Sequence, residues 1–332
     1  MTVTVRSFAK INLGLRIGPA RTDGFHELLT VYQTIALHDV LRVSALRGSG
    51  IEIVCADPRV PRDESNTCWR IVERAMTALR AKGRVVIEIE KRLPVQGGLG
   101  GASANAVATF LALERALKKT LPTAERLRLA AAVGSDLPLF LVGGTILGIG
   151  RGEQVYPLPD LPPIPCVVVI PEVGISTPKA FADWDRLCGG GRDTGAPARE
   201  LTESASSDRM SKLGRELSAW LSEPYSSAPS HLLARGGRAE NPLLALVRAG
   251  IKNDFERVVF PEYPELDEAK RALVRAGAKY ASLSGSGSAF YGLFASRAAA
   301  ATAAIKLRKQ GWEARATSTL TRRAYWRRLL EG

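Results

Sequence analysis

Pro94-Val95-Gln96-Gly97-Gly98-Leu99-Gly100-Gly101-Ala102-Ser103-Ala104 places four glycines directly ahead of an apolar-periodic run, Val107, Phe110, Leu111, Leu113 and Leu117. The run predicts a helix over about 103–119. The loop before it has the chemistry of an anion cradle. Backbone without side chains approaches a polyphosphate closely, successive N–H groups converge on its oxygens, and the positive end of the following helix adds attraction. No lysine follows the glycines, and no full strand-helix-strand dinucleotide unit surrounds them, so neither of the two common glycine-rich nucleotide motifs is present. Taken alone, the stretch fits equally well a helix start that uses small residues for close packing.

Outward from this loop, Val85 to Glu90 alternates with Val85, Ile87 and Ile89 on one face, and Ile51 to Val54 alternates as well. Between them Trp69, Val72, Met76 and Leu79 have helical spacing, with Ser65 or Asn66 as cap and Gly83 as stop. Two early strands are expected, at Thr2–Val5 and around Ile11–Ile17, followed by a turn at Arg21–Gly24. Beyond the loop a third helix runs from about Thr123 to Val133. The proline-rich stretch Pro157–Pro165 reads as a linker, then comes a strand at Cys166–Ile170 and a helix near Pro178–Leu187. Helices are expected within 242–258, 264–276 and 296–309, and strands at 279–284, Ala289–Phe294 and 312–318. The whole is an α+β chain of two domains, 1–160 and 161–332, interrupted by a surface insertion near 189–240 with one helix near 208–222 and flanks rich in Gly and Ser.

Composition narrows the classes. With 332 residues, 45% hydrophobic and 24% charged, the chain is neither disordered, collagenous nor membrane-embedded, and two domains suit the length. Cys55, Cys68, Cys166 and Cys188 form no C-x-x-C pair, which predicts reduced thiols and no zinc or redox motif. The net charge of +13 suits nucleic acid, an anionic membrane or phosphorylated small molecules. Much of it lies in Lys306–Gly332, read as a solvated basic helix face. Arg6 and Lys10 argue against a signal peptide at the start, and the longest uncharged apolar stretch, Leu137–Gly150, is too short for a membrane span and contains Pro138 and four glycines, so a cytoplasmic protein is expected.

Two further segments carry chemistry. Ser284-Gly285-Ser286-Gly287-Ser288 lies between two predicted strands and offers either a plain hairpin or a loop presenting backbone and hydroxyl donors to a ligand. Asp136, in Gly134-Ser135-Asp136-Leu137-Pro138, and Lys10, in Phe8-Ala9-Lys10-Ile11-Asn12-Leu13, are charges in apolar surroundings; each needs a partner if buried, although surface positions at element ends also account for them.

Ala9-Lys10-Ile11-Asn12-Leu13-Gly14-Leu15, then Asp23-Gly24-Phe25-His26-Glu27-Leu28, the Pro94–Ala104 loop, Gly134–Pro138, Gly148–Glu153 and Ser284–Ser288, in this order, closely resemble the GHMP small-molecule kinases. Their Asp-Gly-Phe-His-Glu-Leu segment is similar to that of a branch whose substrate is a cytidine diphosphate alcohol. The resemblance implies a two-domain GHMP kinase fold, with an N-terminal domain of a ribosomal-protein type and a C-terminal ferredoxin-like α+β domain. It implies ATP, used as Mg-ATP with no tightly bound cofactor, and a small-molecule acceptor, in a monomer or homodimer with no membrane or nucleic-acid partner. It makes Lys10 and Asp136 the catalytic pair. ATP would be held by Asn66, Pro94, Gly97, Gly98, Leu99, Gly100, Gly101, Ala102 and Ser103, and by Ser284, Gly285, Ser286 and Gly287, with Ser103 on the magnesium side. Substrate would be held by Asn12, Phe25, His26, Tyr32 and Phe181, with Phe25 and Phe181 stacking on the cytosine and His26 at its polar edge. The loop departs from the family pattern at Ala102 and Ala104, which replace a glycine and a serine. Asn66 fits a helix cap equally well. The competing classes are another GHMP kinase, for a sugar, mevalonate or homoserine, a family member without activity, and a nucleic-acid-binding protein on a related fold.

Overall fold

A computed structural model of the chain describes residues 1–160, 162–189 and 252–330. It is an α+β protein whose residues group into two compact units.

The first unit is built on a six-stranded sheet. Strands β1 (Thr2–Ala20), β2 (His26–Leu46), β3 (Gly50–Cys55), β4 (Arg84–Glu90), β5 (Thr145–Gly150) and β6 (Gln154–Pro157) follow the order β3-β4-β2-β5-β6, with β1 also paired to β2. β3 and β4 are parallel, as expected for strands joined through a helix, here α1 (Thr67–Ala78). β4 pairs antiparallel with β2, setting Val43 opposite Ile87. Val85, Ile87 and Ile89 are buried and Glu88 and Glu90 exposed, as the alternation predicts. Helices α2 (Gly101–Leu117), α3 (Thr123–Val133) and the short α4 (Leu137–Phe140) pack with α1 into a core that includes Ile71, Phe110, Leu113, Leu129 and Phe140.

The second unit has a four-stranded sheet ordered β10-β7-β9-β8, from β7 (Pro165–Ile170), β8 (Tyr280–Leu283), β9 (Phe290–Leu293) and β10 (Glu313–Ser318). Helices α5 (Thr177–Gly189), α6 (Glu256–Glu262), α7 (Pro264–Arg275) and α8 (Arg297–Lys309) accompany it, with Val167, Trp184, Phe255, Leu273, Phe290 and Leu307 in its core.

The first unit comprises residues 1–11, 32–160 and 317–332, and the second residues 12–31 and 161–316. Strands β1 and β2 are long enough to contribute to both units. The last helix, α9 (Arg322–Leu330), buries Tyr325 and Leu329 in the first unit's core. Its basic residues thus ride on a packed helix. The two early strands form one continuous β1, and β2 escapes an alternation search because Leu29–Ile35 are all buried. Residues 190–251, with the helix expected near 208–222 and nearly all of the insertion, lie outside the described residues. Cys55, Cys68 and Cys166 are buried, and none of the four cysteines is in a disulfide among the described residues. Among the described residues no helix is long and apolar enough to cross a membrane.

Candidate active site

The glycine loop of the first unit leads straight into α2, whose N-cap, Gly100, is left-handed (φ 69°) and supplies no side-chain hydrogen bond. A helix begins with N–H groups that lack intrahelical acceptors, and an uncapped start leaves them for a ligand. Gly97–Ser103 line a cavity of about 360 Å³ together with Asn66, Lys91, Pro94 and Asn105. Gly100 is required here: besides its positive φ, a Cβ would lie 3.0 Å from both Lys10 Cγ and Phe140 Cζ.

That contact ties the loop to the ion pair. The Lys10 N–H donates to the Leu99 carbonyl at 2.9 Å, so the strand bearing Lys10 is hydrogen-bonded to the cradle. Lys10 Nζ lies 3.4 Å from Asp136 Oδ2; the lysine side chain is 5% exposed and the carboxylate 33%. Asp136 stands at the start of α4, where its side chain makes no cap bond and is left to other partners. Tyr32 donates its hydroxyl to Asp136 Oδ1 at 3.1 Å. Burial, then the Asp136 charge, pushes the Tyr32 phenol well above its ordinary pKa, so it stays a donor at any working pH. Lys10 Nζ also sits 5.6 Å from the Tyr32 ring centroid. Gly152, with φ 97°, completes the corner, since a Cβ there would overlap the Tyr32 hydroxyl. Tyr32 therefore stands beside the carboxylate, rather than in an aromatic base pocket, because in β2 its side chain is directed into the first unit's core.

Beneath the cradle lies a buried network that sequence reading missed. Asp39 is fully buried and accepts from Lys91 Nζ (2.7 Å), the N–H groups of Arg92 and Leu93 (2.7 Å each) and Asn105 Nδ2 (2.9 Å). It fixes the end of β4, the start of the glycine loop and the first turns of α2 to one another. Asn105 Oδ1 is buried with no partner, in the wall of the nucleotide-sized cavity. Asn66 also caps α1: its Oδ1 accepts from the Cys68 N–H at 2.8 Å and its Nδ2 donates to the Pro61 carbonyl at 2.6 Å.

In the second unit His26 is buried, its Nε2 2.7 Å from Asp185 Oδ1, and its ring stacks on Phe181 with centroids 5.1 Å apart. Phe181 meets Phe255 edge-on at 4.9 Å, which fixes its ring plane. Phe25 is 51% exposed. His26 occupies one face of Phe181, held there by Asp185, a partner that the sequence context did not signal. Asn12 is buried and donates to Thr30 Oγ1 at 2.8 Å. The Ser284–Ser288 loop closes the β8–β9 hairpin. Its backbone is pinned by Asn253, whose Nδ2 donates to the carbonyls of Leu283 (3.0 Å) and Gly285 (2.7 Å), while Ser286 Oγ pairs with Thr177 Oγ1 at 2.8 Å.

An uncapped glycine cradle hydrogen-bonded to a lysine that faces an aspartate is the equipment of an ATP-dependent small-molecule kinase. Comparison with known proteins gives the same class: the chain matches the GHMP kinases N terminal domain over residues 66–144 and the GHMP kinases C terminal domain over 239–311. It is 39% identical to the 4-diphosphocytidyl-2-C-methyl-D-erythritol kinase of Solibacter usitatus, over 88% of this chain and 81% of that one. The kinase of the same name from Moorella thermoacetica is 33% identical, over 96% and 99%. A crystal structure of 4-(cytidine 5'-diphospho)-2C-methyl-D-erythritol kinase aligns with a TM-score of 0.70 and 30% identity, covering 96% and 99%. Homoserine kinase from Cytophaga hutchinsonii shares the fold, with a TM-score of 0.69 at 18% identity. The chain belongs to the 4-diphosphocytidyl-2-C-methyl-D-erythritol kinase family.

Proposed function

We propose that the protein transfers the γ-phosphoryl group of ATP to the 2-hydroxyl of 4-diphosphocytidyl-2-C-methyl-D-erythritol, a step of non-mevalonate isoprenoid precursor synthesis, and does so in the cytoplasm. The observation that carries this reading is the Lys10–Asp136 pair, 3.4 Å apart, on a strand whose Lys10 N–H is bonded to the glycine loop.

The backbone of Gly97–Ser103 and the start of α2 hold the nucleotide phosphates. The substrate hydroxyl gives its proton to Asp136, its oxygen bonds to the γ-phosphorus, and the bond to the ADP oxygen breaks. Lys10 pairs with one carboxylate oxygen and offsets charge on the transferring group; Tyr32 orients the carboxylate from the other oxygen. Asp136, one-third exposed, is reachable by a substrate alcohol. Asn12, Phe25, His26 and Phe181 serve the substrate, with Phe181 and His26 preset as a stacked pair. Ser284–Gly287 provide a second set of donors. Magnesium would be brought with the nucleotide as its complex, with the Ser103 hydroxyl beside it.

A coupled ADP-release assay with this diphosphocytidyl alcohol against mevalonate, homoserine and galactose tests the reading. Preference for the cytidyl substrate by orders of magnitude supports it; comparable use of any of the other three overturns it.

A further inference from the structure

The first unit has a second cavity, of about 430 Å³, that shares no wall residue with the nucleotide cavity. Arg6 and Phe8 of β1 and His38 of β2 line it, joined by Arg92 from the end of β4 and Arg328 from α9. Residues two apart on a strand share a face, which is why Arg6 and Phe8 open into the same hollow. Three guanidiniums and an imidazole therefore meet in one concave space.

Their counter-charges are few. Arg92 pairs with Glu90 at 2.6 Å on the open side, both about half exposed. Among the described residues no carboxylate lies within ion-pair distance of Arg6 or Arg328; the one contact between them is Arg6 Nη1 to the Arg328 carbonyl, a long 3.5 Å. His38 Nδ1 lies 2.8 Å from the Ala36 carbonyl, which places the ring proton on Nδ1 and leaves Nε2 bare, 3.5 Å from Arg92 Nη1. Burial holds the His38 pKa below its ordinary value, and the charges of Arg92, Arg6 and Arg328 act in the same direction. Cations gathered in a partly dry hollow repel one another unless an anion sits among them.

We propose that this cavity is a second anion site, separate from the nucleotide cradle, that takes the diphosphate group of a small molecule. Three guanidinium forks match the several oxygens of a diphosphate better than a single carboxylate, and Phe8, tilted against His38 with ring centroids 5.2 Å apart, lines the apolar side of the hollow. The hollow is a pocket rather than a ridge, which favours a small molecule over a nucleic-acid backbone.

The test uses the full chain with its cradle filled by a saturating non-hydrolysable ATP analogue. Inorganic pyrophosphate and butyl diphosphate are titrated by calorimetry, and the His38 imidazole resonances are followed by NMR. Either ligand should bind and move His38, and the tighter of the two tells whether the free or the esterified diphosphate is preferred. The double variant Arg6→Gln/Arg328→Gln should weaken binding about tenfold or more while kcat stays within about twofold. Lys306→Gln/Lys309→Gln, an equal loss of charge elsewhere, should leave binding unchanged. Equal affinity in the parent and the Arg6/Arg328 variant, or a His38 signal that does not move in the parent, overturns the proposal. So does a short single-stranded oligonucleotide that displaces pyrophosphate from His38 at equal ionic strength, which would make the surface a nucleic-acid groove.

Discussion

Asp39→Asn perturbs the network under the glycine loop with almost no change of shape. The two oxygens of Asp39 accept from Lys91, Asn105 and the backbone N–H groups of Arg92 and Leu93. An amide keeps the backbone acceptor but sets an NH₂ against the Lys91 ammonium, 2.7 Å away, and against the Asn105 amide, 2.9 Å away. Lys91, 9% exposed, is left without a counter-charge. Removing one member of a buried ion pair costs about 3–5 kcal/mol. Against a total stability of about 5–15 kcal/mol, that corresponds to a melting temperature lower by roughly 6–20 °C. Function follows stability here, because Lys91 and Asn105 line the nucleotide cavity and Lys91 Nζ would lie 3.4 Å from a Cβ on Gly101. The Michaelis constant for ATP should therefore rise about tenfold, while the constant for the alcohol changes little. Thermal melts followed by circular dichroism and initial-rate kinetics read the two effects. Lys91→Met in the Asp39→Asn background should lose less than the sum of the single changes by about 1.5 kcal/mol or more, since the stranded charge is gone. A single-variant loss under about 1 kcal/mol, or strict additivity, would refute the account of this network.

Three other outcomes are expected. Gly152→Ala, whose Cβ would overlap the Tyr32 hydroxyl, should displace Tyr32 from Asp136 and lower kcat about tenfold or more with the ATP constant unchanged; parental kinetics would show that Tyr32 does not orient the carboxylate. Phe181→Ala removes the ring that His26 stacks on, and at about 1–3 kcal/mol per aromatic contact kcat/KM for the cytidyl substrate should fall roughly tenfold to a hundredfold while ATP kinetics hold. Asp185→Asn, which takes the charge from the 2.7 Å contact to His26, should relax discrimination between cytidyl and uridyl substrates, and unchanged discrimination would leave that pair structural.

Much of this site was legible because the residues that matter disturb local patterns. The glycines ahead of α2 and the charges at Lys10 and Asp136 stand out from apolar surroundings, and the structure brings that lysine and aspartate together across 126 positions of sequence by way of β1 and α4. Asp39, Lys91 and Asn105 gave no such signal. Lys91 lies between Glu90 and Arg92, where surface exposure is the ordinary expectation, Asp39 and Asn105 are single polar residues of a strand and a helix, and the pairings span 52 and 66 residues, which no periodicity registers. Strand β2 was hidden for a related reason. Buried on both faces over Leu29–Ile35, with Thr30, Gln33 and Thr34 inside, it shows neither alternation nor a clean apolar run. Asn66 was ambiguous between cap and ligand, and hydrogen bonding at both ends of its amide accounts for it as a cap.

The central claim is that Asp136, paired with Lys10, takes the proton of the acceptor hydroxyl. Steady-state turnover of Asp136→Asn with ATP and 4-diphosphocytidyl-2-C-methyl-D-erythritol tests it most directly, alongside nucleotide binding measured on the same folded protein. The account predicts a kcat lower by about a hundredfold or more with ATP affinity near that of the parent, because the amide keeps the shape and the Tyr32 contact but cannot accept the proton. A folded Asp136→Asn protein that turns over at close to the parental rate would contradict it.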